Sequence, residues 1–172
     1  MSRRSDREIA ARVLLLAAFV CLIGFHVMPV NDSPRYDGTI ERGWVIWQAL
    51  WEYRRDLGEL FRAAAQEPLI GMGLVAAVSW LLLALVSPFI VPLLIRSRAL
   101  WSITTLIAGL SLVAWLIIIG SAAGSSGLSN LPPAMLSMLA SVLLNFLGLA
   151  VLARIKPLDP ALPESPDNPL AP

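Results

Sequence analysis

Charge is scarce in this sequence, and its distribution excludes an ordinary water-soluble domain. Charged residues make up 15% of the 172 residues, whereas a globular chain has about 25%. None occurs in residues 13–31, 68–95 or 99–153. A helix that crosses a bilayer needs about 20 consecutive apolar residues. The third gap is long enough for two such helices. The gaps therefore predict four spans, over residues 13–30, 69–95, 99–120 and 132–153.

Cysteine and histidine are each present once, which excludes several kinds of site. A lone Cys21 cannot form an intrachain disulfide, and a lone His26 cannot supply both axial ligands of a bis-histidine haem. No GxSxG or HExxH motif occurs. We therefore expect no catalytic residue, cofactor or metal. An enzyme acting on lipid would have to use first-loop acids such as Asp32 or Glu41.

The charge balance also narrows the partners. A formal net charge of +1 does not favour nucleic acid, because phosphate binding needs a concentrated basic face. Proton relays, ion-coupled carriers and voltage sensors usually need ionisable groups within the spans, and the four runs have no Asp, Glu, Lys or Arg. A passive pore and a lipid-handling bundle remain open.

Basic residues flank alternate ends of the spans, which predicts the orientation. Four arginines lie in residues 1–12, and two more lie in the loop between the second and third spans. Arg154 and Lys156 follow the fourth span. The first loop has seven acids against five arginines. Both termini are therefore expected in the cytoplasm. Twelve of the thirteen basic residues are arginine, which indicates a GC-rich bacterial genome and hence the bacterial inner membrane.

Proline marks the irregular parts of the predicted membrane domain, residues 13–156. The second span would reach about 40 Å at 1.5 Å per residue, against a hydrocarbon core of about 30 Å. We expect tilt, or a bend at Pro88 and Pro92, to absorb the difference.

Residues 157–172 are rich in proline and poor in large apolar side chains, which predicts a disordered cytoplasmic tail.

Tryptophan is concentrated in the first loop. The pattern predicts an amphipathic helix over residues 39–66, with Trp44, Trp47 and Trp51 on one face and acidic residues on another. Interfacial tryptophans lie at headgroup depth, so we expect this helix on the outer membrane surface. It is either a connector suited to two environments or a docking surface for another subunit. A cation–π or carbohydrate platform is a third interpretation.

Small and polar residues recur at helical spacing in the last two spans. They are Ser102, Thr105 and Gly109 on the third span, and Ser137, Ser141, Asn145 and Gly148 on the fourth. Such residues let helices approach closely and hydrogen-bond across the contact. Packing within the bundle is one interpretation, and a polar path for a solute is the other.

Together these patterns predict an all-α integral membrane protein, a four-transmembrane-helix bundle with an interfacial helix in its first extracytoplasmic loop. We expect a non-enzymatic accessory or assembly subunit of a membrane complex. It would dock through the tryptophan face or through small-residue helix faces. The alternative is a passive channel or a small-solute or lipid transporter formed by an oligomer. The bilayer and other membrane subunits, or further copies of the chain, are the expected partners.

Overall fold

The computed structural model describes residues 3–30, 41–52, 54, 56–123 and 131–153. Seven helices make up most of them, in the order α1 (Arg3–Val27), α2 (Val45–Glu52), α3 (Leu57–Gln66), α4 (Pro68–Val86), α5 (Val91–Arg96), α6 (Arg98–Ala123) and α7 (Pro133–Leu152). No strand occurs in this part of the chain, which confirms the all-helical prediction. The predicted tail over 157–172 lies outside the described residues.

Four of the helices are long and apolar enough to cross a membrane, as predicted. The apolar segments are Asp6–Val27, Pro68–Val86, Arg98–Ser121 and Pro133–Leu152. Helix α1 packs along α7, α4 packs along α6, and α7 also contacts α4 and α6. The outer surface of this bundle is itself apolar: Val20, Val75 and Leu106 are each more than 60% exposed. A continuous apolar exterior of this kind suits hydrocarbon rather than water.

The first span differs from its predicted range, 13–30, at both ends. Helix α1 begins at Arg3, and the Arg12 guanidinium contacts the Glu8 carboxylate at 2.7 Å. A pair at this helical spacing stabilises the polar first turns, so residues 3–12 continue the helix. The helix ends at Val27 because Pro29 follows, and a proline disfavours helical geometry in the residue before it.

The predicted bend in the second span is a complete break. Pro88 has no N–H to donate to the carbonyl of Ala84, so α4 ends at Val86. The N–H groups of Phe89 and Ile90 both donate to the Val86 carbonyl, at 3.0 and 3.3 Å. The span predicted over 69–95 is therefore divided between α4 and α5. The last two spans begin and end within three residues of their predicted bounds, 99–120 and 132–153.

The single helix predicted over 39–66 is wrong in its continuity, because α2 and α3 occupy this stretch. Asp56 precedes α3, and aspartate favours the position before a helix over its interior. Gly58 lies in the first turn of α3, and glycine has a low helix propensity. Helix α3 packs closely on α4, since a Cβ at Gly71 would lie 2.6 Å from the carbonyl oxygen of Ala64.

Three layers form the interior of the bundle. At the end that carries α2, called here the α2 end, the buried apolar residues are Leu22, Phe25, Trp80, Ala84, Ile119, Ala134, Met138 and Val142. At the opposite, α5 end they are Ala11, Leu15, Val91, Leu94, Ala108, Leu149 and Leu152. Between these clusters lie four buried polar side chains, Ser87, Ser111, Ser141 and Asn145. We call these four the polar layer.

Candidate functional site

The predicted tryptophan face is divided between the exterior and the bundle. Trp44 and Trp51 are 52% and 66% exposed, whereas Trp47 is half-buried. The indole N–H of Trp47 donates a hydrogen bond to Nε2 of His26. The two rings stack with their centroids 5.9 Å apart and their planes 12° from parallel. Trp44 and Trp51 thus face outward, while Trp47 hydrogen-bonds α2 to α1.

Both ring nitrogens of His26 are engaged in this contact. An indole N–H can only donate, so Nε2 accepts and the ring hydrogen lies on Nδ1. Nδ1 donates to the carbonyl of Leu22 at 2.7 Å. The lone pair that a metal would need is already used. Among the described residues, no group of three His, Cys, Asp or Glu side chains is placed to hold a metal.

A short crossing of the chain holds α2 at the end of α1. The N–H of Val30 donates to the carbonyl of Glu41 at 2.7 Å, and that of Gly43 to the carbonyl of Met28 at 3.2 Å. Gly43 lies directly against Phe25, since a Cβ at Gly43 would be 2.0 Å from the Phe25 carbonyl oxygen. A side chain at this position would push the crossing away from α1.

Aromatic contacts continue from this crossing into the bundle. The Phe25 ring meets His26 and Trp80 edge-on, each at a centroid distance of 5.1 Å. Trp80 in turn meets Trp115 edge-on at 6.4 Å. Such edge-to-face pairs add to the burial energy of the rings. The sequence pattern did not reveal this series because its members lie on different helices, with no spacing in common.

The exposed Trp51 has a cationic neighbour in its own chain. The Arg54 guanidinium carbon lies 4.2 Å from the centre of the Trp51 ring, and its Nη1 donates to the Trp51 carbonyl at 2.6 Å. An exposed cation–π contact of this kind contributes about 0.5–1 kcal/mol. The outward face of α2 therefore presents a flat apolar ring and a positive charge side by side.

Three of the four positions predicted on the fourth span pack against α1. The Ser137 and Ser141 hydroxyls donate to the carbonyls of Cys21 and Ala18, at 2.8 and 2.7 Å. Gly148 lets the helices approach closely, because a Cβ there would lie 2.8 Å from the Leu15 side chain. Hydrogen bonds between membrane helices contribute about 0.6 kcal/mol each on average. These positions build the α1–α7 contact.

The fourth position, Asn145, holds the break between α4 and α5. Its side chain is 2% exposed, and Nδ2 donates to Oγ of Ser87 at 2.8 Å. Ser87 is the capping residue directly after the last residue of α4. Close by, the Trp80 indole N–H donates to Oγ of Ser141 at 2.9 Å. Helical spacing in the sequence identified Asn145 and Ser141, but it did not predict their contacts with Ser87 and Trp80 from α4.

The positions predicted on the third span lie on a different side of the bundle. Ser102 is exposed and Thr105 is half-buried, and a Cβ at Gly109 would be 3.4 Å from the Phe146 ring. All three line an open groove of about 600 Å³ along α6. Ser137, Ser141 and Gly148 face α1 instead. The two predicted polar faces therefore do not meet along a common path within one copy of the chain.

The comparisons with known proteins give no family. The chain matches no protein-family model, no curated protein and no solved structure. Its function therefore has to be inferred from the placement of its own side chains.

The Trp47–His26 hydrogen bond should control how firmly α2 is held. Trp47→Phe keeps the ring but removes the N–H, and a lost hydrogen bond costs about 0.5–1.5 kcal/mol. Amide exchange across Val45–Glu52 should then quicken by roughly 2- to 12-fold. Hydrogen–deuterium exchange measured by mass spectrometry in detergent checks this. Trp44→Phe, at an exposed position, is the control, and an equal effect of both changes would contradict the assignment.

The α1–α7 contact should not tolerate a methyl group at Gly148. Gly148→Ala forces the buried Leu15 to move, and overpacking of this kind costs about 1–3 kcal/mol. Gly120→Ala is a matched control, because a Cβ there meets nothing within 4 Å and alanine favours a helix by up to about 1 kcal/mol over glycine. Thermal unfolding in detergent should show a lower midpoint for the first variant and an unchanged or higher one for the second.

Proposed function

We propose that this chain is a non-enzymatic multi-pass membrane protein that serves as an accessory or assembly subunit of a membrane complex. Its partner would dock on the outward face of α2, defined by Trp44, Trp51 and Arg54. The observation that carries this proposal is that two large aromatic rings, one just before α2 and one within it, stay more than half exposed although Trp47 hydrogen-bonds α2 to α1. Tryptophan and arginine are the residues most enriched at interface hot spots.

The use of polar groups inside the bundle supports the same proposal. Ser137, Ser141 and Asn145 are engaged by α1 and α4, and Ser111 donates to the carbonyl of Ala76 at 3.1 Å. Polar side chains that hydrogen-bond between helices leave few polar groups to line a route for a solute. We therefore place the proposed function on the exterior, where Trp44 and Trp51 are exposed.

The proposed setting is the plasma membrane of a bacterium, with both termini in the cytoplasm. Arg96 and Arg98 stand at the α5 end, and positive residues mark the cytoplasmic side. The α2 end then faces outward. Because the Gly43 crossing and the Trp47–His26 pair hold α2 at the end of α1, Trp44 and Trp51 would lie at headgroup depth, where tryptophan is favoured.

An oligomeric passive channel is the second candidate, and one observation favours it. Ser102, Thr105 and Gly109 line a groove on the outside of α6, and Oγ1 of Thr105 has no hydrogen-bond partner within the described part of the chain. A second copy packed on this groove would bring two such polar stripes together. The pathway would then lie between copies rather than within one.

Cross-linking from the outside of intact cells tests the docking proposal. In a Cys21→Ser background, Gln48→Cys, at an exposed position between Trp44 and Trp51, should react with a membrane-impermeant maleimide that carries a photo-crosslinker, and illumination should join the chain to a different protein. Ser121→Cys, exposed near the α2 end, should be labelled but should not be joined to that protein. Ser97→Cys, at the α5 end, should react only after permeabilisation.

Two results would overturn the proposal. Labelling of Gln48→Cys only after permeabilisation would reverse the orientation. Cross-links only between copies of this chain, together with solute flux in liposomes that contain the pure protein, would favour the channel instead.

A further inference from the structure

A small cavity lies at the level of the polar layer, between α4, α6 and α7. Its walls are Trp80, Leu83, Ala108, Ser111, Val142 and Asn145. Except for Leu83, each of these side chains is at most 4% exposed. The cavity measures about 10 Å³, which matches the room of about 10–15 Å³ that one water molecule requires. Nothing larger than water fits.

One wall of this cavity carries an acceptor that its surroundings do not satisfy. Oδ1 of Asn145 is buried and has no hydrogen-bond partner among the described residues, although Nδ2 of the same side chain donates to Ser87. Buried polar atoms are nearly always paired with protein or with ordered water. In an apolar bundle, an acceptor left alone is especially unfavourable because the surrounding dielectric is low.

A second polar residue, Ser111, lines the same cavity. The Ser111 hydroxyl uses its hydrogen on the Ala76 carbonyl, so its oxygen retains lone pairs that can accept. The Trp80 indole N–H is already donated to Ser141. The two acceptors, on α7 and α6, correspond to the two hydrogens of one water molecule. A buried water normally needs two to four polar partners, and the cavity supplies two.

We propose that this cavity is a binding site for a single structural water that donates to Oδ1 of Asn145 and to Oγ of Ser111. The water completes a connected series across three helices, from the Ala76 carbonyl through Ser111 and Asn145 to Ser87 at the end of α4. It joins α6 to the α4–α5 break, which the Asn145–Ser87 hydrogen bond ties to α7. The proposal does not depend on the function proposed above.

Proton-detected solid-state NMR of the full chain in lipid bilayers tests this site. The wild type should show a through-space cross-peak between a slowly exchanging water and the Nδ2 hydrogens of Asn145. Ser111→Ala removes one of the two acceptors, and Ala108→Val fills the cavity with methyl groups. Each should reduce the cross-peak at least twofold. Thr104→Ala also deletes a buried hydroxyl of α6, but one that bonds within its own helix, and should leave the cross-peak unchanged.

The wild-type measurement decides the matter even where a variant fails to fold. If the wild type gives no water cross-peak at Asn145, the site is dry and the proposal is wrong. A cross-peak that persists unchanged in both Ser111→Ala and Ala108→Val would place the water elsewhere, and this would also overturn the assignment.

Discussion

The hydrogen bond from Ser141 to the carbonyl of Ala18 requires the backbones of α1 and α7 to lie very close together. Gly24 and Gly148, which lie towards opposite ends of this contact, provide that proximity, because a Cβ at either would collide with the facing helix. Once the two helices are joined, Ser141 stands where the Trp80 indole reaches it. The position of α4 thus follows from the approach of α1 to α7.

A series of aromatic rings connects this contact to α2. Trp80 packs on Phe25, Phe25 on His26, and His26 on Trp47. Because His26 has both ring nitrogens engaged, α2 is held in one orientation rather than resting loosely on the bundle. Trp44 and Trp51 are exposed as a consequence of how Trp47 is bound. An exposed aromatic face on a fixed element is well suited to docking, because little ordering entropy is lost when a partner binds.

The sequence predicted the helices well and their contacts poorly, for physical reasons. Gaps in charge and the position of Pro88 depend on local chemistry, so four long helices and a bend in the second could be predicted directly. Helical spacing identified Ser141 and Asn145 because both lie on one face of one helix. It could not predict the contacts of Ser87 and Trp80, which arise only where α4 meets α7. The division of the tryptophan face was missed for the same reason, since the partner of Trp47 lies on α1.

Disulfide formation between α1 and α7 measures the central contact most directly. An ideal Cβ at Gly24 would lie 3.8 Å from the Cβ of Ser137, which is the usual separation of about 3.8 Å in a disulfide. In a Cys21→Ser background, Gly24→Cys with Ser137→Cys should oxidise rapidly in native membranes and lose both free thiols. Gly24→Cys with Leu136→Cys, one residue away on the exposed side, should keep them. Equal oxidation of both pairs, or of neither, would contradict the α1–α7 contact.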